Sequence, residues 1–328
     1  MCKILSLAAI AFLFATAVAA AGEPAIPAGD CRILFLGDSN TYGGQYIEFV
    51  DALLRLENPQ VHRQLLNLGL PSETVSGLSE PGHAGGQFPR PDLAERLERV
   101  LEKTRPGLIV ACYGMNDGIY YPPSPERLKK YQDGILHLRQ RAAAMHAKVL
   151  HLTPPVFDRV PIQAKTLPAG LAEYPQPYEG YDDVLEQFSA WLLAQKSLGW
   201  DVVDVHGPMK LFLAAQRAQD PNFRLAGDGV HIDATGHWII AQQLLRHWAA
   251  LSTAASEAGS GQQAVSAYPH GADVLKLIAE KQRLLKDAWL TATGHKRPGM
   301  KAGLPIDEAE QRAAALDSEI DKLLEPAK

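Results

Sequence analysis

Beyond the first twenty residues the chain has no apolar run long enough to cross a bilayer, so stable membrane insertion of its body is not expected. Cysteine is scarce too. Of the three present, Cys2 lies in the N-terminal segment, which leaves Cys31 and Cys112, too few for a disulfide framework. Cys31 opens the first expected strand and Cys112 closes a later parallel one, so the two belong at opposite ends of a sheet, beyond the ~7 Å Cα limit of a disulfide. Basic residues are not in excess either: 32 Lys and Arg stand against 37 Asp and Glu, a formal charge of -5. With no Lys/Arg block and no aromatic-basic stripe, a nucleic-acid partner is not expected. A content of 46% hydrophobic and 21% charged residues over 328 positions excludes disorder and fits one large domain with a small appendage.

At the N-terminus, Lys3 precedes an apolar run from Ile4 to Ala20 that ends in small residues suited to cleavage, Ala17-Val18-Ala19 and Ala19-Ala20-Ala21. Residues 1–21 therefore read as a secretory signal peptide, with a periplasmic or extracellular destination for the remainder. A membrane anchor is the competing reading; the run is short, rich in alanine and without a positive flank between Gly22 and Gly29.

Apolar, β-prone runs at Arg32 to Leu36, Gln64 to Leu68, Leu108 to Cys112, Lys148 to Leu152 and Asp201 to Val205 predict five strands buried on both faces. Amphipathic stretches at Tyr46 to Glu57, Asp92 to Lys103, Pro125 to Ala147, Tyr181 to Leu198 and Ala234 to Leu251 separate or follow them. This alternation predicts an α/β protein with a parallel sheet, right-handed crossovers and ligands at the carboxyl ends of the strands. The main domain spans residues 30–251. The proline-rich stretch from Thr153 to Pro177 is expected to be a long loop, a wall or lid of the site, and residues 252–270, rich in Ala, Ser, Gly and Gln, read as a flexible linker. Residues 271–328 carry two amphipathic helical patterns, expected to pair as a hairpin packed on the body or on another subunit. Oligomeric state has no signal in the sequence.

Three clusters fall at expected strand ends or in a late loop: Gly37-Asp38-Ser39-Asn40, Gly114-Met115-Asn116-Asp117 and Asp228-Gly229-Val230-His231. A serine at a strand-to-helix turn exposes its hydroxyl and backbone N–H to the crevice. A histidine can take the serine proton while a carboxylate holds its other nitrogen, and an asparagine amide can donate to a developing oxyanion. Each cluster also has an ordinary structural role, as helix cap, Asx turn or surface histidine. His237 is expected in the helix that follows, with Asp233 as N-cap, and the spacing of His231 to His237 matches no metal-ligand pattern.

With Asn67 to Gly77 as a fourth block, these clusters resemble the GDSL/SGNH hydrolase family, in order, over roughly Cys31 to Leu251. The resemblance implies a flavodoxin-like, three-layer αβα sandwich with a parallel five-stranded sheet in the order 2-1-3-4-5, here carrying a C-terminal helical hairpin. It implies serine esterase chemistry with no cofactor and no metal. Ser39 would be the nucleophile and first oxyanion N–H donor, Asn116 a side-chain donor, His231 the general base and Asp228 its orienter. The family usually places a glycine N–H five residues after the asparagine that closes the second strand. Here that position is Ser72, and Gly69 is the competing donor.

Tyr42, Tyr113, Tyr120 and Tyr121 are expected near the mouth, with His83, Gln87 and Arg90 on an adjacent loop; Asp38, Tyr113, Asp117 and Tyr120 are the substrate-binding candidates. Aromatic faces among polar groups suit an acylated sugar, whether a small molecule or a polysaccharide, and secretion agrees with deacetylation of polysaccharides. A lysophospholipase or general short-chain esterase is the alternative enzyme, and a carbohydrate-binding protein without activity the contrasting class. His295, Lys296 and Arg297, between Gly294 and Gly303, read either as a solvated loop or as a lining for an acidic glycan.

Overall fold

A computed structural model describes Ile26 and residues 31–325; the expected signal peptide lies outside the described residues. Five strands, β1 (Arg32–Gly37), β2 (Gln64–Asn67), β3 (Leu108–Cys112), β4 (Lys148–Leu152) and β5 (Asp201–Val203), form one parallel sheet. Its order is β2-β1-β3-β4-β5, as expected. The register pairs Phe35 with Asn67 and Gly37 with Cys112, so the chain leaves β1, β2 and β3 at one edge.

Eleven helices surround the sheet among the described residues: α1 (Ser39–Gly43), α2 (Gln45–Glu57), α3 (Leu93–Thr104), α4 (Pro125–Ala144), α5 (Tyr181–Ala194), α6 (His206–Arg217), α7 (Ala234–His247), α8 (Thr253–Ser256), α9 (Gly261–Ser266), α10 (Gly271–Thr293) and α11 (Ile306–Leu324). Side-chain caps set several of the starts. Asp38, Asp92, Ser124 and Asp233 each accept a backbone N–H from the first turn of α1, α3, α4 and α7. Alternate strand residues feed two cores. Ile33, Phe35, Val110 and Leu150 pack with α2 and α7, while Leu34, Leu36, Ile109 and Ala111 pack with α3, α4 and α5. This is the three-layer sandwich that residues buried on both faces require.

The structure departs from the expected elements at several places. Helices α1 and α6 are additional, β2 ends at Asn67 instead of Leu68, and β5 ends at Val203 instead of Val205. The stretch expected as a flexible linker carries α8 and α9, with Ala255, Ala264 and Val265 buried in the core. Its small residues are there for close approach: a Cβ on Gly261 would meet the Phe49 ring at 2.5 Å. Cys31 and Cys112 are free, as their positions at opposite ends of the sheet require.

The C-terminal helices α10 and α11 pair, and α10 lies along β2, the sheet's edge strand. Gln282 Nε2 donates to the Leu65 carbonyl at 3.1 Å and to Asp51 Oδ2 at 2.8 Å, which satisfies an acceptor that an open edge would leave exposed. On the opposite side, Gly134 of α4 touches the segment after β2. A Cβ there would overlap the Val75 carbonyl oxygen. Gly134→Ala should lower the unfolding free energy by about 1–3 kcal/mol, despite alanine's better helix propensity. An unchanged or raised urea midpoint would contradict this contact.

Candidate active site

Helix α1 starts where β1 ends. Asp38 is extended and accepts the Asn40 N–H at 2.9 Å, and this cap makes Ser39 the first helical residue, at the carboxyl edge of the sheet. Ser39 Oγ lies 2.9 Å from His231 Nε2, and His231 Nδ1 lies 2.6 Å from Asp228 Oδ2. The Asp/His spacing works through a local turn: Asp228 Oδ1 accepts the N–H groups of Val230 at 3.0 Å and His231 at 2.8 Å, and Gly229 takes the left-handed backbone (φ 83°) between them. Burial raises the Asp228 carboxyl's pKa, but the hydrogen bonds from His231 and Val230 outweigh it, so the net shift is downward and the group stays ionised opposite the imidazole.

Asn40 joins the two halves of this arrangement. Its Nδ2 donates to the Val230 carbonyl at 3.2 Å and its Oδ1 accepts the Ile232 N–H at 3.1 Å, so the residue after the serine grips the histidine loop on both sides. In the sequence, adjacency to Ser39 is the one signal that Asn40 carries. From behind, the Asp158 N–H donates to the Gly229 carbonyl at 2.8 Å, while the Asp158 carboxylate accepts the Leu225 N–H and pairs with Arg217. Thus the stretch after β4, which includes a 3-10 turn at Val160–Lys165, backs the histidine loop through Asp158.

The segment after β2 forms the other side. Ser72 holds a left-handed backbone (φ 69°), a conformation that favours glycine, and its N–H has no partner among the described residues. Gly69 is otherwise employed. Its N–H donates to Asn67 Oδ1 at 2.9 Å, and a Cβ on it would overlap the Tyr42 backbone nitrogen of α1. Asn116 Nδ2 gives one hydrogen to the Glu73 carbonyl at 3.2 Å, next to Ser72, and retains a second; its Oδ1 accepts from the Tyr120 hydroxyl at 3.1 Å. Beside Tyr120 opens a cavity of about 250 Å³ lined in part by Glu80, Tyr121, Glu173, Tyr174 and Gln176.

A GDSL-like lipase/acylhydrolase family model matches residues 35–239, more than half of the chain. The chain belongs to this family. It is accordingly a hydrolase of ester bonds. No curated protein matches it. Among solved structures it is similar to BT4096, a gut microbial diltiazem-metabolizing enzyme, with a TM-score of 0.53 and 20% identity over 70% of this chain; the chain spans 49% of that protein. It is also similar to a catalytic mutant of Axe2, an acetylxylan esterase from Geobacillus stearothermophilus, with a TM-score of 0.50 and 20% identity over 68% of this chain and 95% of the other. At these identities the likeness is one of fold.

Within this GDSL-like hydrolase, three of the four expected substrate contacts do not face the crevice. Tyr113 is buried behind the loop and donates its hydroxyl to Glu73 Oε2 at 2.6 Å. Asp117 is fully buried and accepts the N–H groups of Val75 and Ser76, both at 2.8 Å. Asp38 is buried as the α1 cap. Asp38 and Asp117 position backbone and Tyr113 the Glu73 side chain, while Tyr120 alone of the four stays partly exposed. Tyr42 is covered by Lys286, whose Nζ sits 3.8 Å from the ring centroid, and His237 is buried against Tyr46.

Burial drives the Asp38 carboxyl from 3.8 to about 7, against the lowering hydrogen bond from Asn40, and the charge of Asp117 adds to the rise; Asp117 itself is driven to about 6, mainly by burial. A carboxyl whose pKa is higher in the folded chain stabilises it below its unfolded pKa and loses that contribution as pH rises through the folded value. Asp38→Asn keeps a capping oxygen, so between pH 4 and about 7 its stability relative to wild type should climb with pH. A difference that stays flat across this window in urea titrations would contradict the buried, protonatable Asp38.

Proposed function

We propose that the chain is an exported serine esterase that removes short acyl groups, acetyl foremost, from carbohydrates through Ser39, His231 and Asp228. The observation that carries this reading is the continuous Ser39–His231–Asp228 hydrogen-bond line, at 2.9 Å and 2.6 Å, in the open. The His231 and Asp228 side chains are 56% and 58% exposed, so an ester on a bulky polymer can reach Ser39 without entering a tunnel.

The chemistry follows from that line. His231 Nε2 takes the Ser39 proton as Oγ attacks the acyl carbon, while Asp228 holds Nδ1–H and stabilises the imidazolium. The carbonyl oxygen becomes an oxyanion served by the Ser39 N–H, the Ser72 N–H and the remaining hydrogen of Asn116 Nδ2. His231 then protonates the departing sugar hydroxyl, and water, deprotonated by the same nitrogen, releases the acid from the Ser39 ester.

Support for a sugar comes from the cavity beside Tyr120. Tyrosine faces and carboxylates suit the apolar face and hydroxyls of a pyranose better than an alkyl chain. The Lys3-to-Ala21 pattern supports export. Because the fold neighbour Axe2 is an acetylxylan esterase, acetylated xylan heads the substrates to test.

Acetate release should be measured on acetylated xylan, acetylated pectin and acetylated sialosides, beside p-nitrophenyl esters of increasing chain length. Turnover of at least one acetylated glycan and a falling rate beyond short acyl chains are expected; a preference for long chains would favour a lipid substrate. Ser39→Ala and His231→Ala should each remove nearly all activity, and the double variant should lose little more. Losses that multiply in the double variant would contradict a shared relay.

A further inference from the structure

The structure assigns Arg297, on the loop joining α10 to α11, as a positioning residue for the Ser72 oxyanion donor; this rests on the reading of Ser72 in the proposed mechanism. Arg297 Nε donates to the Pro71 carbonyl at 2.9 Å. That carbonyl and the Ser72 N–H belong to one peptide unit, and in a trans peptide the two groups point in opposite directions. Holding the oxygen against Arg297 therefore aims the N–H away from the C-terminal loop. A donor on the carbonyl also polarises the peptide and strengthens its N–H as a donor.

The guanidinium is itself fixed. Its NH1 donates to the Pro298 carbonyl at 3.1 Å and lies 3.3 Å from Met300 Sδ, and its carbon sits 5.5 Å from the Phe88 ring centroid. The last turn of α10, from which this loop departs, is anchored to α3, where Arg99 Nε donates to the Thr293 carbonyl at 3.0 Å and Lys103 Nζ to the Ala292 carbonyl at 2.6 Å. The need for such a brace follows from the residue at position 72. A serine at φ 69° is strained where glycine would be relaxed, and rotation of the Pro71–Ser72 peptide would relieve the strain by turning the N–H out of the site. Arg297 opposes that rotation. The C-terminal hairpin thereby contributes to the oxyanion site while supplying no atom that touches substrate.

The test compares full-length wild type with Arg297→Met and Arg297→Lys on p-nitrophenyl acetate, together with affinity for a trifluoromethyl ketone that adds to serine as a tetrahedral oxyanion. Arg297→Met should lower kcat roughly tenfold, a fraction of the cost of deleting a donor outright, with KM within about twofold. Ketone affinity should fall by the same factor, and Arg297→Lys should recover most of both. A folded Arg297→Met enzyme with wild-type kcat, a loss confined to KM, or a kcat loss with unchanged ketone affinity would each overturn the assignment. Should Arg297→Met not fold, Arg297→Gln carries the same readouts, because its shorter side chain cannot bridge to Pro71. Ser39→Ala separates the two levels: if it retains activity, the mechanism itself fails; if it is inactive while the Arg297 variants are undiminished, only the positioning role fails.

Discussion

The parallel pairing of β1 with β2 on one side and β3 on the other is the constraint on which the site depends. Because Phe35 is in register with Asn67 and Gly37 with Cys112, three consecutive strand exits lie abreast. Ser39, the Ser72 turn and Asn116 follow those exits within a few residues of chain. The Asp228–His231 loop is not delivered by a strand in this way. It reaches Ser39 because Asn40 binds Val230 and Ile232 on either side of the histidine, and because Asp158 holds Gly229 from behind.

Buried polar groups hold the chain around Ser72, beside the apolar packing of Leu68, Leu70 and Val75. Glu73 and Arg96 are both fully buried and joined by two hydrogen bonds, at 2.6 Å and 2.7 Å, and Arg96 also donates to the Leu68 carbonyl. Burial raises the Glu73 carboxyl's pKa, and the charge and hydrogen bonds of Arg96 pull against that rise. Removing either partner would strand a charge in the core, so the pair specifies one position of the loop whatever its net contribution to stability. Asp117 does the same for Val75 and Ser76, from a motif that looks on paper like part of the substrate surface.

The fold was legible because its cause is local. Short β-prone runs alternating with amphipathic stretches permit few arrangements, and Ser39, Asn116, Asp228 and His231 stand out by motif. Their neighbours were harder to read. Tyr113 follows a strand buried on both faces, and only the fold reveals that it turns toward Glu73. Residues 252–267 have a linker's composition, yet the same glycines and alanines allow α9 to approach Phe49 closely. Helix α6 opens with His206-Gly207-Pro208, which reads as a turn, although proline is tolerated in a helix's first turn. Arg297 lies 226 positions from Pro71, and no spacing rule connects them.

Everything proposed for the mechanism passes through one atom, Ser39 Oγ, and through the basicity that His231 lends it. The most direct measurement is therefore mass mapping of the folded protein after reaction with a fluorophosphonate. The account predicts a single adduct on the peptide containing Ser39, slowed strongly in His231→Ala. Absence of labelling in the folded protein, or an adduct on another residue with Ser39 unmodified, would contradict it.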